Sequence, residues 1–230
     1  MLGGGPIGCE LSQAFRRFGS QVTVVEMADR FLAREDDDAA ALLLAALRRD
    51  GVDVRLSTRL VRVERSGGRG NRAVLERAGQ EEIVPFDEIL VAAGRTPNVE
   101  GLGLEQAGID FDPRAGVSVD DHLRTRNPDV YAAGDVCMAH KFTHAADFAA
   151  RAVVQNALFS VGPFGRRRLS ALTIPWCTYT DPEIAHVGVS ERTAAERGIE
   201  IDTYVRQLGD VDRAIAEGRD EGFVLSLIHI

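Results

Sequence analysis

An α/β fold around a parallel sheet is what this sequence predicts, on three observations. A glycine-rich turn, Gly3-Gly4-Gly5-Pro6-Ile7-Gly8, feeds a stretch of helical spacing. A β-branched, nearly continuous apolar run, Gln21 to Glu26, follows it. Beyond residue 59 the apolar period changes to two. Turn, helix and buried strand in that order describe the start of a doubly wound unit, and the change of period adds a small antiparallel meander.

The elements follow in order. Ile7, Leu11, Ala14, Phe15 and Phe18 form a helical stripe with Gly19 as its stop. Gln21 to Glu26 reads as a strand buried on both faces. Glu35-Asp36-Asp37-Asp38 opens a second helix and Arg48-Arg49, before Gly51, closes it, acid and base each suiting its end of the helix dipole. Val52 to Leu56 is the next strand. Arg59 to Glu64, Ala73 to Arg77 and Glu81 to Val84 alternate around turns at Gly67-Gly68 and Gly79, giving the meander. Glu88 to Ala93 reads as a buried strand running into a turn at Gly94-Arg95-Thr96-Pro97-Asn98, and Asp129 to Ala133 as a short strand meeting Gly134-Asp135. Ala145 to Phe159 is helical, with Phe148, Ala152, Gln155 and Phe159 on one face. Gly162 to Arg168 reads as a linker, Leu172 to Tyr179 starts a new strand, and Ser190 caps a short helix that Gly198 stops.

Composition narrows the function. The 230 residues are 45% hydrophobic and 27% charged with a net charge of −8, an ordinary globular balance. The longest apolar run, Ala39 to Leu47, is far short of the roughly 20 residues that span a bilayer. No membrane association is expected, and with no charged-then-apolar leader the expected location is the cytoplasm. The acidic balance argues against a nucleic-acid partner, whose phosphates call for clustered Lys and Arg; Arg166-Arg167-Arg168 is short and reads as a solvated turn. Cys9, Cys137 and Cys177 lie far apart, so no C-x-x-C pair exists.

Gly3-x-Gly5-x-x-Gly8 places glycines where a chain must turn tightly, admit a pyrophosphate to its backbone and let a helix approach a sheet. The helix N-terminus then offers N–H groups and partial positive charge to the phosphates. The following strand ends in Glu26, close to the roughly 20-residue spacing of a ribose-binding acid. Its carboxylate can accept hydrogen bonds from the adenosine ribose and would repel a 2′-phosphate, so NAD(H) is favoured over NADP(H). Only Met1 and Leu2 precede the loop, where the fingerprint asks for a strand of about five residues; either that strand is stunted or the chain starts late.

Four segments together resemble the class I pyridine nucleotide-disulfide oxidoreductases, flavoenzymes that include dihydrolipoamide dehydrogenase and mercuric reductase: Gly3 to Glu10, Glu88 to Asn98, Val130 to Val136, and Trp176 to Gly188. They occur in the family's order across nearly the whole chain, and Phe142 to Phe148 is most similar to the mercuric-reductase-like branch. The resemblance implies a Rossmann-like nucleotide-binding domain over residues 1–95 with its first strand truncated, the second part of an FAD-binding domain over 96–165, and the truncated start of an α+β dimer-interface domain over 166–230. It implies that Gly3, Gly5, Gly8 and Glu26 bind the nicotinamide dinucleotide with Glu10 near the nicotinamide end, that Gly94, Gly134 and Asp135 contact the cofactors, Asp135 at the flavin's ribityl chain, and that the helix start near Ala145 points at the flavin. On its residues alone Asp135 reads equally as a turn former.

The family's flavin-binding glycine motif and redox cysteine pair precede the region where this chain begins, and its C-terminal His and Glu lie beyond where it ends. No residue here replaces them, so no catalytic residue is assigned. The expectation is an internal fragment of an FAD-dependent NAD(P)H oxidoreductase acting on a disulfide or metal-ion substrate. The parent is expected to be a homodimer, the isolated chain is expected to be inactive, and the final Phe223 to Ile230 is expected to stop in mid-strand, departing from the family pattern after Gly222-Phe223-Val224. The alternative is a catalytically silent nucleotide-binding module or a non-functional truncation product. Cys137, His140 and His144 could supply three zinc ligands by spacing, but no fourth is nearby, and no metal site is assigned.

Overall fold

The computed structural model describes residues 1–66, 70–162 and 164–229. The chain divides into two units, Met1–Gly94 with Cys177–Ile230, and Arg95–Trp176.

In the first unit the glycine turn leads into helix α1 (Pro6–Arg17), strand β1 (Thr23–Val25), helix α2 (Asp37–Arg49) and strand β2 (Asp53–Arg55). β1 and β2 pair in parallel with Val24 opposite Val54. Leu2 bridges in parallel to Val25 on one side and Val91 on the other. Four parallel positions thus lie side by side in the order β2, β1, Leu2, Val91, which is the sheet the sequence predicts. The strand expected over Glu88 to Ala93 contributes only its bridge at Val91, because its partner is so short. Leu2 donates to the Leu90 carbonyl at 2.8 Å and accepts from the Ala92 N–H at 2.7 Å; Gly3, at φ +104°, then turns the chain away.

Helix α2 starts after Asp36 in extended conformation and carries Asp37 and Asp38 in its first turn and Arg48 and Arg49 in its last. It lays Ala40, Leu43, Ala46 and Leu47 against Val24, Val54, Cys9, Phe31 and Leu32 to make the main core. Leu43 and Leu47 are wholly buried, and each such side chain contributes about 1.5–3 kcal/mol.

Helix α1 buries a different face from the stripe that predicts it. Gly8, Cys9, Ser12 and Gln13 face inward, whereas Ile7 and Phe15 are half-exposed and Phe18 is 85% exposed. A Cβ on Gly8 would lie 2.0 Å from the Gly3 carbonyl oxygen. That close approach sets the rotation of the helix, turns its small and polar residues toward the sheet and leaves the apolar stripe outside. Buried Ser12 is satisfied by donating its hydroxyl to the Gly8 carbonyl.

Strands β3 (Thr58–Ser66), β4 (Gly70–Arg77) and β5 (Gln80–Phe86) form the expected antiparallel meander in that order. The Gly67-Gly68 turn lies outside the described residues. One face packs Leu60, Ala73, Leu75, Val84 and Phe86 with Leu2 and Val25; Arg59 pairs with Glu76 and Arg62 with Glu81 at the surface.

The second unit contains the short antiparallel pair β6 (Phe111–Asp112) and β7 (Gly116–Val117), then helix α3 (Thr143–Val154), continued by a wide π turn over Gln155–Phe159. The strand expected over Asp129 to Ala133 is a single bridge between Arg124 and Tyr131. A tight loop, with the Val130 N–H on the Asn127 carbonyl and the Thr125 N–H on the Val130 carbonyl, takes the place of a longer pairing. Helix α3 faces Ala145, Ala149 and Ala152 inward; of the predicted face Ala152 is buried, while Phe148 is half-exposed and Phe159 is 72% exposed. The alanines let the helix lie close to Gly134, where a Cβ would sit 3.0 Å from the Ala146 Cβ. The expected linker is pinned rather than free: Asn156, buried, accepts the Arg167 N–H at 2.7 Å and donates to the His122 and Arg167 carbonyls. Pro163 lies outside the described residues.

Strand β8 (Trp176–Thr178) pairs with β9 (Ile184–His186) and is shorter than expected, since a 3-10 turn holds Leu169–Ala171 and Pro175 has no N–H to give. Helix α4 (Glu191–Arg197) has the predicted cap, the Ser190 hydroxyl accepting the Thr193 N–H at 3.2 Å, and Gly198 stops it at φ +64°. Strand β10 (Ile201–Gln207), helix α5 (Asp212–Ala216) and strand β11 (Phe223–His229) complete the chain. β10 and β11 pair antiparallel along their full length, from Ile201 opposite His229 to Gln207 opposite Phe223. The segment expected to stop in mid-strand is therefore a paired strand over Phe223–His229; Ile230 lies outside the described residues.

Replacing Leu43 by Ala should lower the unfolding free energy by about 2–5 kcal/mol, and Phe18→Ala by less than about 0.5 kcal/mol, both read from urea denaturation followed by circular dichroism. A large cost at Phe18 would contradict the observed rotation of α1.

Candidate functional site

The three glycines divide their work by what a side chain would meet. A Cβ on Gly3 would lie 2.5 Å from the Ala92 carbonyl oxygen, so this glycine lets the loop rest on the neighbouring strand. Gly8 permits the contact with Gly3 described above. Gly5 is different: a Cβ there would meet nothing within 4 Å. It precedes α1 in extended conformation with Pro6 as the first helical residue, so bare backbone at a helix N-terminus faces open space. That is the geometry that receives a phosphate, and the residues present fit a dinucleotide.

Glu26 reaches this loop. Its Oε2 accepts the Gly4 N–H at 2.6 Å and its Oε1 the Ala28 N–H at 2.9 Å. The carboxylate is thereby held at the loop's edge, with lone pairs left for a sugar hydroxyl. Gly4 is a site residue that motif reading misses: it also accepts the Leu32 N–H, at 3.4 Å. Glu10 lies on α1 and accepts the Tyr179 N–H at 2.9 Å. Three residues on, Gln13 forms a paired amide contact with Asp181, donating to its carbonyl and accepting its N–H, each at 2.8 Å, and Arg17 pairs with the Asp181 carboxylate at 2.9 Å. Nothing in local sequence signals a partner so distant in the chain.

In the second unit, Asp135 sits in a 3-10 turn after Gly134 at φ +82°. Its carboxylate pairs with Arg95 at 2.8 Å, and Arg95 also donates to the Lys141 carbonyl at 3.1 Å. Arg95 to Asn98, Asp135 and Val136 line an open concavity of about 410 Å³. Gly94 is exposed at φ +114°, with nothing near its Cβ position. Ala145 lies in the first turn of α3 and is wholly buried, so only its backbone is available at that helix end. Phe142 stacks on His144 and Trp176, and His140 on Phe142 and Trp176, with ring centres 5.5–6.4 Å apart. A larger concavity, about 1740 Å³, lies in the first unit against β9 and β11 and includes no predicted site residue.

The cysteines are built as thiols. Burial, reinforced by the charges of Glu10 and Glu26, pushes Cys9 up to about 12. Burial also pushes Cys137 up to about 11, against the pull of Lys141, and raises Cys177. All three are free. Of the three residues with zinc-like spacing, the Cys137 thiol lies on the Gly134 carbonyl and His144 bonds the Pro175 carbonyl. Among the described residues no group of three or more His, Cys, Asp or Glu side chains could hold a metal ion.

The sequence profile described as Pyridine nucleotide-disulphide oxidoreductase matches residues 1–155, and that of the dimerisation domain of the same family matches 174–228. The chain belongs to the pyridine nucleotide-disulphide oxidoreductase family. Dihydrolipoyl dehydrogenase of Bacillus subtilis is 41% identical over 84% of this chain and 40% of its own length. Mercuric reductase of Staphylococcus aureus is 32% identical over 96% of this chain and 40% of its own length. Among solved structures, LpdA from Mycobacterium tuberculosis superposes with a TM-score of 0.89 at 29% identity, over 100% of this chain and 48% of that one. The HOCl-induced flavoprotein disulfide reductase RclA from Escherichia coli does so with a TM-score of 0.84 at 30% identity, over 99% and 51%. This member of the family thus spans about half the length of the relatives it matches. Among its described residues no helix is long and apolar enough to cross a membrane.

Two outcomes check this geometry. Gly8→Ala should destabilise the fold far more than Gly5→Ala, measured by thermal unfolding, because only Gly8 has no room for a methyl group. The thiols of Cys9 and Cys137 should react slowly with a disulfide reagent at pH 8 in the folded chain and rapidly once it is unfolded. Since unfolded thiols ionise near 9 and the folded ones at about 12 and 11, their contribution to stability is complete below pH 9 and falls as pH rises toward 12.

Proposed function

We propose that these residues are the nicotinamide-binding part and one wall of the flavin site of an FAD-dependent NAD(P)H oxidoreductase, working as a homodimer. The overall reaction is hydride transfer from NAD(P)H to the flavin, then electron transfer to a disulfide or Hg(II)-type acceptor. The reading divides the chain into a dinucleotide domain over 1–95, the second part of the FAD domain over 96–165 and the start of the dimer domain over 166–230.

The observation that carries it is the glycine loop with Glu26 fastened beside it. Gly5 presents open backbone to the pyrophosphate, and the α1 N-terminus adds partial positive charge. Glu26, oriented by the Gly4 and Ala28 N–H groups, receives the adenosine ribose hydroxyls and repels a 2′-phosphate, so NADH is preferred to NADPH. Glu10, held by the Tyr179 N–H, orients the nicotinamide end. Asp135, held by Arg95, takes the ribityl hydroxyls of the flavin, with Gly94 and Gly134 keeping nearby backbone clear and the first turn of α3 at Ala145 contributing its dipole. Bound flavin supplies a two-electron carrier between nicotinamide and acceptor. No residue here acts as the redox cysteine pair, a reading supported by three thiols held protonated and apart in sequence; the isolated chain is therefore inactive toward disulfides and Hg(II).

The test is direct titration of the purified 230-residue chain with NADH, NADPH and FAD, by calorimetry and thermal shift. NADH should bind more tightly than NADPH, and Glu26→Ala should narrow the gap by about tenfold, the scale of one lost charge-assisted contact. Equal affinities in the wild type would overturn the role of Glu26, and turnover of a dithiol or Hg(II) by this chain would overturn its predicted inactivity.

A further inference from the structure

The segment from Glu26 to Leu32 is strapped across the glycine loop. Both backbone groups of Gly4 are taken by it, the N–H by the Glu26 carboxylate and the carbonyl by the Leu32 N–H. The strap is fixed from the other side by β3 and the turn before it, the Thr58 N–H on the Glu26 carbonyl and the Ser57 N–H on the Ala28 carbonyl. Phe31 and Leu32 are buried in the core, which leaves Asp29 and Arg30 as the polar residues on the outside of the strap, close in chain to Glu26. Arg30 is the only basic residue between 26 and 32, and its guanidinium is paired with Asp37 in the first turn of α2.

We propose that Asp37 is a second determinant of coenzyme choice: by holding Arg30 in an ion pair, it withdraws the one cation of the strap that could receive a 2′-phosphate. The inference rests on the reading of the glycine loop as the dinucleotide site. A guanidinium is the side chain best matched to a phosphate, through a planar fork of donors. Here that fork is spent on a carboxylate, so a 2′-phosphate meets Glu26 and Asp29 without compensation. Discrimination against the phosphorylated coenzyme is shared: Glu26 repels and Asp37 sequesters. Asp37 touches no coenzyme atom in this scheme and acts only through Arg30. The Arg30–Asp37 pair is exposed enough for salt to screen it, so freed Arg30 should attract phosphate most strongly at low ionic strength.

The experiment measures NADH and NADPH affinities of the full chain by calorimetry at low and high ionic strength. The variants are Glu26→Gln, which keeps an acceptor for Gly4 and removes the charge, Glu26→Gln with Asp37→Asn, and that pair with Arg30→Leu. Asp37→Ser serves as an independent replacement, since Asp36 and Asp38 remain to start α2, and circular dichroism confirms folding. Removing the Asp37 charge in the Glu26→Gln background should raise the NADPH-to-NADH affinity ratio by about fivefold. The gain should shrink with salt and disappear with Arg30→Leu. An unchanged ratio for both Asp37 replacements overturns the proposal, as does a gain that survives Arg30→Leu, which would make Asp37 a direct repulsive charge. If the wild-type chain binds neither coenzyme, the dinucleotide reading itself fails and takes this inference with it; NADH binding with a ratio indifferent to Asp37 defeats the inference alone.

Discussion

The contact on which the rest depends is the approach of Gly8 to the carbonyl of Gly3, closer than any side chain permits. It brings the N-terminus of α1 down onto the turn, fixes the rotation of that helix and determines which residues are buried beneath it. Because Cys9, Ser12 and Gln13 are the residues so placed, the underside of α1 is narrow and partly polar. Bulk packing is left to α2, whose Leu43 and Leu47 fill the space over β1 and β2. One backbone contact thus separates the two jobs of the unit: α1 is seated on the glycine turn while α2 supplies the hydrophobic core.

Much of this was legible in the sequence, for reasons that differ by element. The glycine turn, Glu26, α2 and the Ser190 cap were readable because each rests on local chemistry: a conformation only glycine adopts, a helix end suited by charge, a hydroxyl three residues from its N–H. The face of α1 was misread, and that of α3 in part, since Ala152 of its predicted face is buried but its aromatics are not. Both helices carry aromatic residues at helical spacing, and periodicity takes such a stripe for the buried side. In each case a close approach involving a glycine, Gly8 to Gly3 and Gly134 to Ala146, favours small residues inward and turns Phe18 and Phe148 out. The runs at Glu88 and Asp129 have strand composition but short partners, and composition carries no information about partner length. The links made by candidate residues within each unit, Tyr179 to Glu10 in the first and Arg95 to Asp135 in the second, join residues with no shared pattern and had no signal to find.

Charge is organised at two levels. Most ion pairs, such as Arg59–Glu76 and Arg62–Glu81 on the meander, lie at the surface, where each contributes about 0–1 kcal/mol; they set solubility more than stability. Glu26 is a different case, because backbone N–H groups rather than a mobile side chain hold it. Its carboxylate is therefore held in one orientation without an ion-pair partner that must itself be ordered. The cysteines are held by the opposite means: burial raises the pKa of all three thiols, so the one beside the glycine loop, Cys9, stays protonated at neutral pH.

The hydrogen bonds between Glu10 and Tyr179 and between Gln13 and Asp181 span 168 or 169 residues of chain. Contacts of that separation form only after a long stretch of chain has been brought back on itself, and loop closure makes them late events in folding. The glycine turn and α1 can form early from local interactions, but the side chains that hold Tyr179 and Asp181 find their partners last. On a ribosome, helix α1 would leave the exit tunnel long before the segment that steadies it has been synthesised.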